Sequence, residues 1–186
     1  MKVFAGIDPS ITNTGLVILD EKSNLVKAVN GNTAYKKKKF GSYIERYLCQ
    51  VNYIVQILSD YEILAIGYED YSYNSVHKAY SLGEYNGILK GKLYEALRMP
   101  CFLIPPTTNK LFAVGNGFAS KELVGRQAKS ECTAFGNPTT DITDAYFLAK
   151  FVFYRHDPQQ AVITDKGNSN LRTRLECVRK KGRRGR

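Results

Sequence analysis

Four acidic residues fall in three separated places along this 186-residue chain. Asp8 closes the apolar run VFAGID, Glu69 closes ILAIGYE, and Asp141 and Asp144 stand three apart at the head of DITDAYFLAKFVFY. A carboxylate is costly in apolar surroundings unless it is paired, and a cluster of like charges is unfavourable unless cations neutralise it. Hard divalent ions such as Mg2+ take oxygen ligands of this kind. If the three segments converge, the pattern points to metal-dependent phosphodiester chemistry. One of two Mg2+ ions would activate a water for in-line attack on phosphorus, and the other would stabilise the leaving 3′-oxygen. That route needs no covalent Ser, Cys or Tyr nucleophile, and neither His77 nor His156 is required as a ligand.

Taken singly, each acid has a plainer explanation. Asp8-Pro9 can be a turn that ends a strand, and acids such as Asp141 and Asp144 are favoured near a helix N-terminus. Glu69 and Asp70 are adjacent, so in a strand they point to opposite faces and only one can face Asp8; Glu69 is the choice, and Asp70 is left to cap or to face solvent. Those explanations do not account for two strand-end acids together with an i,i+3 pair in one small basic protein.

The elements that must position these residues can be read from hydrophobic period and turn formers. Strands are predicted at Val3–Asp8, Gly15–Leu19 and Leu25–Val29, joined by short connections that favour an antiparallel meander. A helix is predicted from Ser42 to about Ser59, with Ser42 and Glu45 as a capping box. Ile63–Glu69 reads as a central strand. From about Val76 to Arg98 the pattern is helical, with Gly83, Gly87 and Gly91 lining one face, as close packing against a sheet or a partner helix would require. Cys101–Ile104 reads as a short strand, Ala113–Ala119 as a glycine-broken loop, and Ser120 to about Cys132 as a helix. A last helix is capped by Thr139 or Thr140 and stopped at His156-Asp157-Pro158. The order β-β-β-α-β-α-β-α-α implies an α/β domain, a mixed sheet covered by helices.

Composition narrows the partners. An apolar fraction of 44% is ample for a core. The net charge is +10, and residues 165–186, ending RKKGRRGR, carry +7 of it. Such a tail is expected to be disordered and to bind polyanions, nucleic acid above all. Lys36–Lys39 is a further basic run in a loop. Cys49, Cys101, Cys132 and Cys177 match no zinc spacing and read as reduced thiols. The apolar stretch before Asp8 is too short for a signal peptide or a membrane span, so a cytoplasmic protein with no membrane partner is expected.

These residues carry a resemblance. GIDPSITNTG (6–15), AIGYED (65–70), TTNKLFAVGNGFASKELV (107–124) and DITDAYFLA (141–149) resemble the RuvC-type Holliday junction resolvases of the RNase H-like superfamily over roughly residues 3–155. The K-x4-G-x-G-x-A-x-K run from Lys110 to Lys121 is its most discriminating part. The resemblance implies an RNase H-like five-stranded mixed sheet flanked by helices, with a nuclease domain at 1–157 and a basic tail at 158–186. It implies catalytic, metal-binding Asp8, Glu69, Asp141 and Asp144, two Mg2+ or Mn2+ ions, and a homodimer acting on branched DNA. It also implies that Lys121 contacts or polarises the scissile phosphate. From the residues themselves, Lys110 and Lys121 flank a loop whose backbone N–H groups could cradle phosphate. Tyr71 and Tyr73 match the place where the family puts an aromatic into the junction, and are unranked candidates for stacking on an unpaired base. The chain departs from the family at Ser10, where Gly is common, in a 70–83 segment about one residue short, and in its tail. Short, tailed, tyrosine-rich members resemble the phage-encoded branch, which implies action in a host cytoplasm without branch-migration partners.

Other readings compete. Asp8 to Gly15 also resembles the phosphate loop of actin-like and sugar-kinase ATPases, which are larger and lack the strand Glu and the terminal D-x-x-D helix. A non-catalytic DNA-binding module would share the charge but not the acids. Within nucleases, a general branched-DNA endonuclease acting on forks and three-way junctions stands next to a strict resolvase.

Overall fold

The structure, a computed structural model, describes residues 1–35, 39–70 and 79–156. The short polar turns of the N-terminal third produce the expected meander: β1 (Lys2–Asp8), β2 (Gly15–Asp20) and β3 (Leu25–Asn30) pair antiparallel in sequence. Asp20 pins the second turn by accepting the backbone N–H groups of Lys22 and Asn24, each at 2.8 Å. The chain then crosses through α1 (Tyr43–Ser59) to β4 (Glu62–Glu69), which lies parallel to β1. A second crossover, α2 (Ala79–Leu97), leads to β5 (Phe102–Ile104), parallel to β4. The sheet order β3-β2-β1-β4-β5 puts β1 at its centre, and a strand covered on both faces reads as a near-continuous apolar run. Three helices complete the chain: α3 (Pro106–Val114), α4 (Lys121–Glu131) and α5 (Thr140–His156).

Strand alternation divides the core in two. Val3, Ala5 and Ile7 face α1 and α2, packing with Val51, Ile54, Tyr85, Leu89 and Leu93. Phe4 faces the other way, into the layer made by α5 with α3 and α4. A buried ion pair, Lys150 to Glu131 at 2.9 Å, ties α5 to the end of α4, and the rings of Tyr146 and Tyr154 lie against the ammonium.

Three local expectations need correction, and one left open is decided. The segment before the glycine loop holds a full helix, α3; Pro106 sits at its first position, where a missing N–H costs nothing. Ser42 caps α1 by accepting from the Glu45 N–H at 3.2 Å, but the Glu45 carboxylate returns to the Gly41 N–H, one residue beyond a capping box. Gly83, Gly87 and Gly91 have nothing among the described residues within 4 Å of an added Cβ. They do not pack on the sheet; Tyr85, Leu89 and Leu93 of the same helix do. Of the two threonines offered as the α5 cap, Thr139 serves, accepting from Ile142 N–H at 3.4 Å.

Candidate active site

Asp8 and Glu69 end adjacent parallel strands, one residue beyond the Ile7–Tyr68 pairing. Alternation sends Phe4, Gly6 and Asp8 of β1, and Ala65, Gly67 and Glu69 of β4, to the α5 face. The same alternation turns Asp70 away, and its backbone N–H is held by the Ile104 carbonyl at 2.9 Å. Three glycines let α5 come down onto the sheet. A Cβ on Gly6 would stand 1.9 Å from the Ala145 carbonyl oxygen, one on Gly67 2.4 Å from that of Leu148, and one on Gly15 2.2 Å from that of Asp141. Gly15 is the β2 partner of Asp8. Backbone contact thus seats the first turn of α5, with Asp141 and Asp144, over the end of β1.

The four carboxylates share one electrostatic environment. Burial pushes the Asp8 carboxyl well above the usual range, and Glu69, Asp144 and Asp141 push it further, against Lys121. Burial first, then Asp144, raises Glu69 to about 8, opposed by a hydrogen bond from Asn109 and by Lys110 and Lys121. Burial raises Asp144 to about 6, against the pull of Lys121 and Lys110 and with the push of Asp141. Lys110 on α3 and Lys121 at the head of α4 therefore both belong to this site. Tyr71 and Tyr73 lie outside the described residues.

Two asparagines at the site escape sequence reasoning. Asn13 donates its amide to Asp141 Oδ2 at 2.7 Å and to Asn30 Oδ1 at 3.1 Å, and Thr139 donates to the same Asn30 oxygen at 2.9 Å. The turn after β1 is thereby tied to the start of α5. Asn109 is 1% exposed. Its amide donates to the Asp144 carbonyl at 3.1 Å, its side chain bonds Glu69, and its Oδ1 has no partner among the described residues. The signal available for Asn109 was a polar residue on an otherwise apolar helix face, next to a lysine.

Three amides of the loop offered as a phosphate cradle are turned to partners within the loop and α3. The N–H groups of Gly115, Phe118 and Ala119 bond to Leu111 O, Asn116 Oδ1 and Asn116 O. Glu122 is held by Ser120 and by its own backbone N–H at the head of α4. These bonds fix the shape of the turn between Lys110 and Lys121.

Among the described residues no three Asp, Glu, His or Cys side chains form a ready-made metal cage. That suits the donor set, because Mg2+ is commonly held by one or two carboxylates plus waters and substrate phosphates. Carboxylates raised by burial and by neighbouring acids, as Asp8, Glu69 and Asp144 are, fit hard divalent ions.

No protein-family model matches the chain, and no curated protein sequence does. Solved structures do match. A RuvC of Thermus thermophilus in complex with a Holliday junction substrate is 24% identical, with a TM-score of 0.68 over 83% of this chain and 94% of that one. A second Thermus thermophilus RuvC structure, also 24% identical, gives a TM-score of 0.66 over 82% and 95%. The mixed sheet and its flanking helices are thus those of the RuvC-type, RNase H-like fold, with the acids of β1, β4 and α5 gathered at one end.

Proposed function

We propose that the protein is a metal-dependent, structure-selective DNA endonuclease that resolves four-way junctions by paired hydrolytic nicks. The observation that carries this reading is the meeting of Asp8, Glu69, Asp141 and Asp144 beside Lys110 and Lys121. The likeness to a RuvC in complex with a Holliday junction substrate supports the choice of substrate.

Asp8, Glu69, Asp141 and Asp144 would hold two Mg2+ or Mn2+ ions, which when bound supply an activated water and charge stabilisation on the departing 3′-oxygen. The chain's residues do the rest. Asn109 orients Glu69, Asn13 orients Asp141, and Lys110 and Lys121 offset the acids and meet the scissile phosphate. Tyr71 or Tyr73 stacks on a base at the crossover. A homodimer would match the two-fold symmetry of a four-way junction, and the open glycine face of α2 is the surface we assign to it. The basic tail beyond the 1–157 domain adds sequence-independent affinity. Among the described residues no helix is long and apolar enough to cross a membrane, and the setting we propose is a phage-encoded enzyme acting in the cytoplasm of its host.

The test is cleavage, in Mg2+, of a labelled four-way junction beside a fork and a linear duplex of the same sequences, with Asp8→Asn as control. Paired symmetric nicks in the junction, lost in the variant, are expected. Equal cutting of forks would move the assignment to a general branched-DNA endonuclease, which the tail's unselective charge favours. Tight binding without cutting in Mg2+ or Mn2+ would leave a DNA-binding module.

A further inference from the structure

Phe118 sits in the turn between α3 and α4 and is 90% exposed. A lone exposed apolar side chain is ordinarily unremarkable, but the support of this one is built. Gly115, at φ +77°, closes α3, and Ser120 caps α4 through the Leu123 N–H at 3.3 Å. Between them Asn116 accepts from both Phe118 N–H, at 3.0 Å, and Ala119 N–H, at 3.2 Å. Gly117 lies against α3 so closely that a Cβ would meet the Thr107 carbonyl at 2.9 Å. Ala119 is 5% exposed, tucked into the core beside the α5 layer. Both neighbours of Phe118 are therefore anchored inward, and its ring is left in solvent.

The surroundings are those of a nucleic-acid track. Lys121, whose charge is felt by Asp8, Glu69 and Asp144, is three residues on, so its Cα is at most about 11 Å from that of Phe118. A groove of about 240 Å³ runs along α4 past Lys121, Arg126 and Lys129, with Glu122 the one acid among them, to Thr140 and Thr143 of α5. A ring on a fixed turn beside a basic groove suits a polyanion that offers bare π-faces. In linear duplex those faces are stacked away; at a branch point they are not.

We infer that Phe118 is a second base-contacting residue, stacking on an unpaired or unstacked nucleobase beside the cleaved phosphate and so favouring branched DNA over linear duplex. This rests on the proposed nuclease reading and adds a contact on the α3–α4 side of the site, beyond the one proposed for Tyr71 or Tyr73. Stacking on one base is expected to be worth about 5- to 150-fold in affinity.

The experiment uses the full chain and metal-free buffer. A four-way junction carries 2-aminopurine at each position flanking the crossover in turn, and wild type, Phe118→Ala and Phe118→Trp are titrated onto it and onto the linear duplex. Wild type and Phe118→Trp should change the fluorescence at one position. Phe118→Ala should lose that change and weaken junction binding within the stated range, leave duplex binding unaltered, and keep the wild-type melting temperature. Unaltered fluorescence and junction affinity in Phe118→Ala would overturn the inference. So would an equal loss on duplex, or a loss of affinity accompanied by dissociation of a dimer in sedimentation, which would make the ring a subunit contact. Cleavage by wild type is scored separately in Mg2+: its absence would sink the nuclease reading and leave the fluorescence result to decide the role of Phe118.

Discussion

Where α5 crosses the sheet, glycines at 6, 15 and 67 bring helix backbone onto strand backbone, whereas α1 and α2 lie over the opposite face on the rings of Tyr47, Tyr68 and Tyr85. The α5 side ends in four carboxylates with opposing lysines. The other side ends in a closed neutral network. Gln50 donates to Ser10 O at 2.9 Å and to Tyr85 Oη at 2.7 Å, and accepts from Thr14 N–H at 3.2 Å. Tyr85 and Thr14 share a bond of 2.6 Å, and Tyr68 donates to Asn86 Oδ1 at 2.5 Å. Every donor of Gln50 is used, as buried amides require. The alternation of one strand thus separates a face that stores electrostatic repulsion from a face closed by neutral hydrogen bonds, and on the proposed function chemistry belongs to the first and support to the second.

The largest effect should come from closing the glycine seam. Gly6→Ala puts a Cβ into the α5 backbone and is expected to lower the unfolding free energy by about 3 kcal/mol, read as a shift in urea midpoint, with loss of junction cleavage. An unmoved midpoint would mean that α5 can stand off the sheet, and the contrast between the faces would fail. Next comes pH. Asp8, Glu69 and Asp144 have folded-state values above their ordinary ones, so over that interval the folded state holds more protons than the unfolded state. Their contribution to stability therefore falls as pH rises from the ordinary carboxylate range near 4 toward about 8. Metal-free protein should show a falling melting temperature across that window. Saturating Mg2+ should offset the fall, and the triple variant D8N/E69Q/D144N should flatten it; a slope that survives in the triple variant would place its origin elsewhere.

On the other face, Tyr85→Phe leaves Thr14 and Gln50 each short of a partner and should cost about 1–3 kcal/mol. Cleavage per folded molecule should hold, so a rate loss out of proportion to the stability loss would show that the neutral network also tunes the site. Smallest is Ser42→Ala, which removes the α1 cap for about 1 kcal/mol; calorimetry should detect it and a cleavage assay should not.

Much of this division was legible in residue order. The meander, the two crossovers and the last helix follow from period and turn chemistry, and alternation shows that only one of Glu69 and Asp70 can face Asp8. What was not legible depends on close approach. Gly6 and Gly67 look like ordinary small strand residues until α5 is laid across them. The α2 glycines, read as a packing face, meet nothing among the described residues. Asn13 and Asn109 act on partners 128 and 35 residues away in sequence, and no local pattern reports such pairings. α3 was hidden because its opening prolines suggest a stop as readily as a start.

The seating of α5 on bare strand backbone has an evolutionary corollary. Contacts between main chains are common to every residue type, so the gap between Asp8 and the D-x-x-D turn can survive wholesale exchange of the side chains that fill the remaining core. A lineage that keeps a few glycines and acids can drift almost anywhere else. At 24% identity to a Thermus thermophilus RuvC this chain shares that architecture.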